Sequence, residues 1–158
     1  MAAQCIKRLI AELKDIKGEK SYDIRVSPDE SALTTWYFVM PGPKDTAFEG
    51  GEYMGRITFP ETYPFSAPSI MFITPSAAFL PGAKICMSMT SFHNETWTPA
   101  WRGITIILGL SSFMAEFKTK CPAYPGIVPS ATIVQCKEAA SKSHEWNTRN
   151  EIYCQHFA

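Results

Sequence analysis

The chain has no excess charge of either sign: fifteen Lys and Arg balance fifteen Asp and Glu across 158 residues. That balance argues against nucleic acid or an anionic membrane as the main partner, because both are held by a surplus of basic groups. A protein partner or a small substrate fits better. The five cysteines, at 5, 86, 121, 136 and 154, include no C-x-x-C pair, so neither a disulfide framework nor a zinc site is suggested and a reducing compartment is expected. His93, His144 and His156 stand far apart with no ligand spacing among them, so no metal is expected, and no cofactor either. Residues 1 to 20 are charged and periodic, unlike the apolar core of a secretory signal. The most apolar stretch, Gly103 to Phe117, is shorter than the roughly 20 residues a bilayer span requires and contains Ser111, Ser112 and Glu116. It reads as a core helix. Repeats and low-complexity segments are missing.

What is present has a clear order. Ile6, Leu9, Ile10, Leu13 and Ile16 recur at helical spacing, with Lys7, Arg8, Glu12 and Lys14 on the other face, so the chain opens with an amphipathic helix that Gly18 ends. Tyr22 to Val26, Thr34 to Met40, Tyr53 to Phe59 and Ile70 to Ile73 are β-branched or aromatic runs bounded by Pro, Gly, Asp and Ser. These predict four consecutive strands in an antiparallel meander. From Thr74 to Arg102 the chain is rich in Pro, Gly, Ser and small side chains, and an irregular segment of that length inside a compact domain is usually functional. Helical patterning returns from Gly103 to Phe117 and, in two pieces, from about Ser130 to Phe157. Helix, strands, loop and helices in succession make an α+β fold, and a chain of this length is expected to form one domain over residues 1–158.

Within the loop, Cys86 lies ten residues after Ser76 and eleven before Trp97, bracketed by Pro75, Pro81 and Pro99. Proline fixes φ, so this thiol is held in place rather than carried on a mobile segment. An unpaired cysteine is commonly a small, inert core residue; a held, loop-borne one suits covalent catalysis. Acidic residues are missing between Glu61 and Glu95, while Lys84 precedes the thiol by two positions. That local field favours the thiolate.

The surrounding motifs decide between the two. Pro41-Gly42-Pro43, Phe48-Glu49-Gly50-Gly51, Phe59-Pro60, Tyr63-Pro64-Phe65-Ser66-Ala67-Pro68 and Trp97-Thr98-Pro99-Ala100 occur in order and resemble ubiquitin-conjugating (E2) enzymes from Ile6 to about Phe157. Thr74-Pro75 in place of the usual His-Pro, the Ile85-Cys86-Met87-Ser88 context and Phe92-His93 ahead of Thr96-Trp97 are most similar to the Ubc6-type, J-type branch associated with the endoplasmic reticulum. Related folds also imply a cis Tyr63–Pro64 bond.

The resemblance implies that Cys86 takes ubiquitin's C-terminus as a thioester from an activating enzyme and passes it on with a RING-type ligase. Catalytic candidates are Cys86, Ser76, His93 and Asn94. Ser76 stands where the family has an asparagine credited with stabilising the oxyanion, and its short hydroxyl makes His93 or Asn94 alternative donors. Family positions matching Lys7, Arg8, Phe65, Pro99 and Ala100 dock the ligase; the two basic residues could equally be a solvated helix face. Near the acceptor, Ser88 replaces a common aspartate, leaving Glu95 and Glu116 as carboxylate candidates, so lysine receives little help and a hydroxyl acceptor loses less. The branch implies a role in endoplasmic-reticulum-associated degradation. Its members add a C-terminal membrane anchor, whereas this chain ends at Ala158; it is expected to be cytoplasmic as given, or on the cytosolic face of that membrane if the native chain continues. Two other readings stand beside this one: an inactive E2-like variant that binds ubiquitin or a ligase, and an E2 for another ubiquitin-like modifier.

Overall fold

Four antiparallel strands lie in the order β1-β2-β3-β4: β1 Arg25–Asp29, β2 Ala32–Pro41, β3 Glu52–Thr58 and β4 Ser69–Phe72. Helix α1 (Ala2–Gly18) precedes them. A 3-10 helix (Ser91–Thr96), α2 (Gly103–Met114), α3 (Ile133–Thr148) and α4 (Glu151–His156) follow. The computed structural model describes residues 2–19, 22–87, 89–117 and 125–158; Ser88 and Cys121 lie outside the described residues.

The predicted meander is present, with one displacement. The first strand, expected over Tyr22 to Val26, runs Arg25–Asp29 instead. Its register is set at the hairpin end, where the Asp29 carboxylate accepts the Ser31 N–H and hydroxyl at 2.9 and 2.8 Å. At the other end, Arg25 pairs with Val39 and its guanidinium donates to the Phe157 carbonyl at 3.0 Å. Pro28 sits inside this strand, opposite Trp36. An edge strand tolerates it, because a missing N–H on the solvent side breaks no ladder bond.

The two sheet faces have separate cores. Trp36, Phe38, Met40, Tyr53, Ile57, Ile70 and Phe72 join Ile106, Ile107, Leu110 and Met114 of α2 and Leu9 of α1 in one buried cluster. Gly55 faces Phe38 in the β2–β3 register, and a Cβ there would overlap that ring. Alternate residues Val39 and Met54 point the other way and are covered by Tyr153 of α4. α3 and α4 are capped by Thr132 and Asn150, whose side chains accept N–H groups of their first turns. This accounts for the break into two pieces.

Two residues of α1 depart from the amphipathic reading. Ile10, assigned to the apolar stripe, is 52% exposed, whereas Glu12, assigned to the polar face, is only 2% exposed. Glu12 is buried because every donor around it is satisfied by its carboxylate: Arg8 Nε at 2.7 Å, Tyr63 Oη at 2.6 Å and Gly103 N at 2.7 Å. A fully hydrogen-bonded carboxylate can replace an apolar core residue at this junction.

Candidate active site

The segment around Cys86 is held by backbone bonds from both sides. Gly82 N donates to Phe72 O at 2.8 Å, Ile85 N to Ile70 O at 2.9 Å and Cys86 N to Pro125 O at 3.2 Å. Gly126, with φ near +87°, lets the neighbouring segment pass close: a Cβ there would overlap the Lys84 carbonyl. Thr90, fully buried, ties the turn by donating to the carbonyls of Met87 and Ile85 at 2.9 and 3.2 Å. Ile85 and Met87 are buried, and the intervening Cys86 is half-buried. Alternation along an extended segment therefore turns the thiol outward.

There Cys86 Sγ meets His93 Nε2 at 3.1 Å, and His93 Nδ1 meets Glu95 Oε1 at 3.1 Å. The Glu95 carboxyl is held below the ordinary glutamate range by its own backbone N–H and then by the His93 ring. An ionised carboxylate only accepts, so Nδ1 carries a proton, and when the ring is neutral Nε2 presents its lone pair to the thiol. The arrangement is a nucleophile, a base and an orienting carboxylate in series. Both His93 and Glu95 are open to solvent, at 42% and 71% side-chain exposure. The base is therefore accessible to an incoming group.

Cys86 and His93 open into a groove of about 670 Å³, also lined by Met89, Gly109 and Glu116. Gly109 leaves room there for the Met89 methyl group, which a Cβ would displace. Of the predicted acceptor residues, Glu95 belongs to the histidine chain and Glu116 lines the groove; Ser88 lies outside the described residues. Lys84 is exposed.

Two predicted oxyanion candidates are engaged elsewhere. Ser76 is fully buried, and its hydroxyl oxygen accepts the Phe79 N–H at 3.0 Å, holding a turn in which Ala77 adopts φ 68°. Asn94 spends its amide on backbone groups: Oδ1 accepts Ala67 N–H at 3.0 Å and Nδ2 donates to Ser91 O at 3.3 Å. Thr74, which replaces histidine in the His-Pro pattern, has a defined partner in this chain. Its hydroxyl donates to Asn147 Oδ1 at 2.5 Å and accepts Met54 N–H at 2.8 Å, binding α3 to β3 below the loop.

The profile described as ubiquitin-conjugating enzyme matches residues 8–146. The chain belongs to the ubiquitin-conjugating enzyme family. It is 35% identical over 154 residues to ubiquitin-conjugating enzyme E2 6 of Eremothecium gossypii, covering 98% of this chain and 62% of the relative. It is 34% identical to ubiquitin-conjugating enzyme E2 J2-like of Dictyostelium discoideum, covering 97% and 87%, and 36% identical to human E2 J2, covering 96% and 56%. It thus spans little more than half the length of some relatives. A solved structure from Plasmodium yoelii, assigned as a ubiquitin conjugating enzyme, superposes with a TM-score of 0.61 at 29% identity, covering 71% of this chain and 73% of that one.

In this family member the exposed loop aromatic is prominent: Phe65 is 65% exposed, and it follows a Tyr63–Pro64 bond that is cis, as expected. Pro99, Ala100 and Lys7 are exposed. Arg8 is instead a brace. Its Nη2 donates to Pro99 O and Trp101 O, both at 2.9 Å, and its guanidinium lies 5.5 Å from the Tyr63 ring centroid. Sequence reasoning did not find Glu12, whose i,i+4 spacing from Arg8 was the available signal. Nor did it find Thr90, which has no sequence pattern of its own. Among the described residues no cluster of three His, Cys, Asp or Glu could hold a metal, and no helix is long and apolar enough to cross a membrane.

Proposed function

We propose that residues 1–158 act as a single E2 catalytic domain that carries ubiquitin as a thioester on Cys86 and transfers it to a substrate bound with a RING-type ligase. The observation that carries this reading is the Cys86–His93–Glu95 series, at 3.1 Å for each step, in a chain of this family. In loading, Cys86 sulfur attacks the carbonyl of the activating enzyme's ubiquitin thioester; the new C–S bond forms as the old one breaks, and His93 Nε2 takes the thiol proton and gives it up to the departing thiolate, leaving the ring neutral. In transfer, the acceptor's proton passes to Nε2 while its nitrogen or oxygen attacks the Cys86 thioester. The C–S bond breaks, and the departing thiolate recovers the proton from the imidazolium. Such proton transfer contributes roughly 10²- to 10⁴-fold to rate.

Because the base is a histidine and Ser88 stands in place of the family's aspartate, hydroxyl as well as amine acceptors are within its range. A neutral hydroxyl needs no charge partner before reaction. Phe65, Pro99 and Ala100 form the ligase-docking surface, with Lys7 as its basic flank and Arg8 as the residue that shapes it. The similarity to E2 6 and E2 J2 proteins supports a place in endoplasmic-reticulum-associated degradation, at the cytosolic face if the native chain continues into an anchor.

Incubation with activating enzyme, ATP and ubiquitin tests the reading. Wild type should give a reductant-sensitive ubiquitin adduct that Cys86→Ala abolishes. An adduct retained by Cys86→Ala would sink the assignment, and no adduct on wild type would favour a binding-only variant.

A further inference from the structure

The backbone leaves helical geometry at His93, with φ −135° and ψ 58° inside the Ser91–Thr96 segment. A regular helix therefore does not dictate where the imidazole points. The direction is set by what anchors the residues on either side. On one side His93 N donates to Thr90 O at 2.9 Å. On the other, Asn94 sits between the base and its orienting carboxylate, and its Oδ1 accepts the Ala67 N–H at 3.0 Å, while Trp97 Nε1 donates to Pro64 O at 2.7 Å. Ala67 and Pro64 belong to the loop that presents Phe65.

We propose that Asn94 is a positioning residue: through its bond to Ala67 it holds His93 on Cys86 and makes the base geometry dependent on the Phe65 loop. The inference rests on the reading of His93 as the base. Asparagine suits the task because its carbonyl oxygen takes the Ala67 N–H while its amide nitrogen, donating to Ser91 O at 3.3 Å, closes the same turn. With the anchor cut, the 3-10 segment stays tied at Trp97 and Thr90, but the residue between His93 and Glu95 is released. A nucleophile and base in series lose effectiveness with small misplacements, so the effect on rate should exceed the effect on folding.

The test is single-turnover discharge from pre-loaded enzyme onto free serine and free lysine, with Asn94→Ala, Asn94→Asp, His93→Gln and the Asn94→Ala, His93→Gln pair. Asn94→Ala should slow discharge about tenfold, whereas adding it to His93→Gln should cost less than about twofold more, the non-additivity of residues acting as one unit. Asn94→Asp, which keeps the oxygen that receives the Ala67 N–H, should restore discharge to within about threefold of wild type. Equal losses from Asn94→Ala in both backgrounds, or none in either, would overturn the proposal. If His93→Gln itself discharges at the wild-type rate, the reading of His93 as base fails and this inference with it, a result distinguishable from failure of Asn94 alone.

Discussion

Glu12 and Glu95 each anchor a hydrogen-bonded cluster, and the two behave in opposite ways. Glu12 is 2% exposed and fixed by Arg8, Tyr63 and Gly103. Burial, together with the Glu12 bond and charge, pushes the Tyr63 hydroxyl far above the usual tyrosine range, so it stays a donor to that carboxylate. Glu95 is open to water and bonded to a ring that is also open. A buried network with every partner satisfied locks geometry; an exposed one can take up and release protons with an incoming group. The first joins α1, the Tyr63–Pro64 turn and the start of α2, and so holds still the loops that the second must sit between.

The largest expected effect in breaking that contrast is at the thiol. Cys86→Ser should trap ubiquitin as an ester that survives reductant, and Cys86→Ala should form no adduct, while serine at positions 5, 136 or 154 leaves loading intact on the same gels. Next comes the buried cluster. Glu12→Ala strands the Tyr63 hydroxyl, the Gly103 N–H and the Arg8 guanidinium, and should lower unfolding free energy by about 3 kcal/mol in urea titration. Glu95→Gln should slow discharge by only a few fold, roughly the effect of an exposed orienting partner, with an unchanged urea midpoint. A loss at Glu95 as large as that at Glu12, in either assay, would erase the distinction.

The smallest effect is a pH dependence at Glu52. Burial alone would raise its carboxyl, but hydrogen bonds from Asn147, His144 and Tyr153 and the charge of His144 leave it below the ordinary value of 4.5. A depressed carboxyl stabilises the fold above its unfolded value and loses that contribution as pH falls through the folded one. Wild type should therefore be more stable than Glu52→Gln at neutral pH by less than about 1 kcal/mol, with the difference shrinking below pH 4.5. A difference that grows on acidification would contradict the assignment.

Much of the scaffold was legible in the sequence, and for physical reasons. β-Branched and aromatic runs such as Thr34 to Met40 and the apolar spacing of Gly103 to Phe117 report burial directly, and the prolines around Cys86 mark a held loop. The ends of β1 were not legible, because they depend on Asp29 capping its own hairpin and on Arg25 reaching Phe157 at 3.0 Å, a contact 132 residues away. Glu12 was misread because helical periodicity assigns every charge to solvent and cannot see that Tyr63 and Gly103 supply donors. His93, Asn94 and Glu95 were picked out singly, but their division of labour depends on the non-helical backbone at His93. No spacing rule predicts that geometry.

The contrast between the reactive and the static cluster is tested most directly by His93→Gln, followed by single-turnover discharge of ubiquitin from Cys86 alongside urea unfolding of the same preparation. The account predicts discharge slowed by about 100-fold, the loss of a general base, with an unfolding midpoint equal to wild type. Discharge at the wild-type rate, or a slowing matched by a comparable loss of stability, would contradict it.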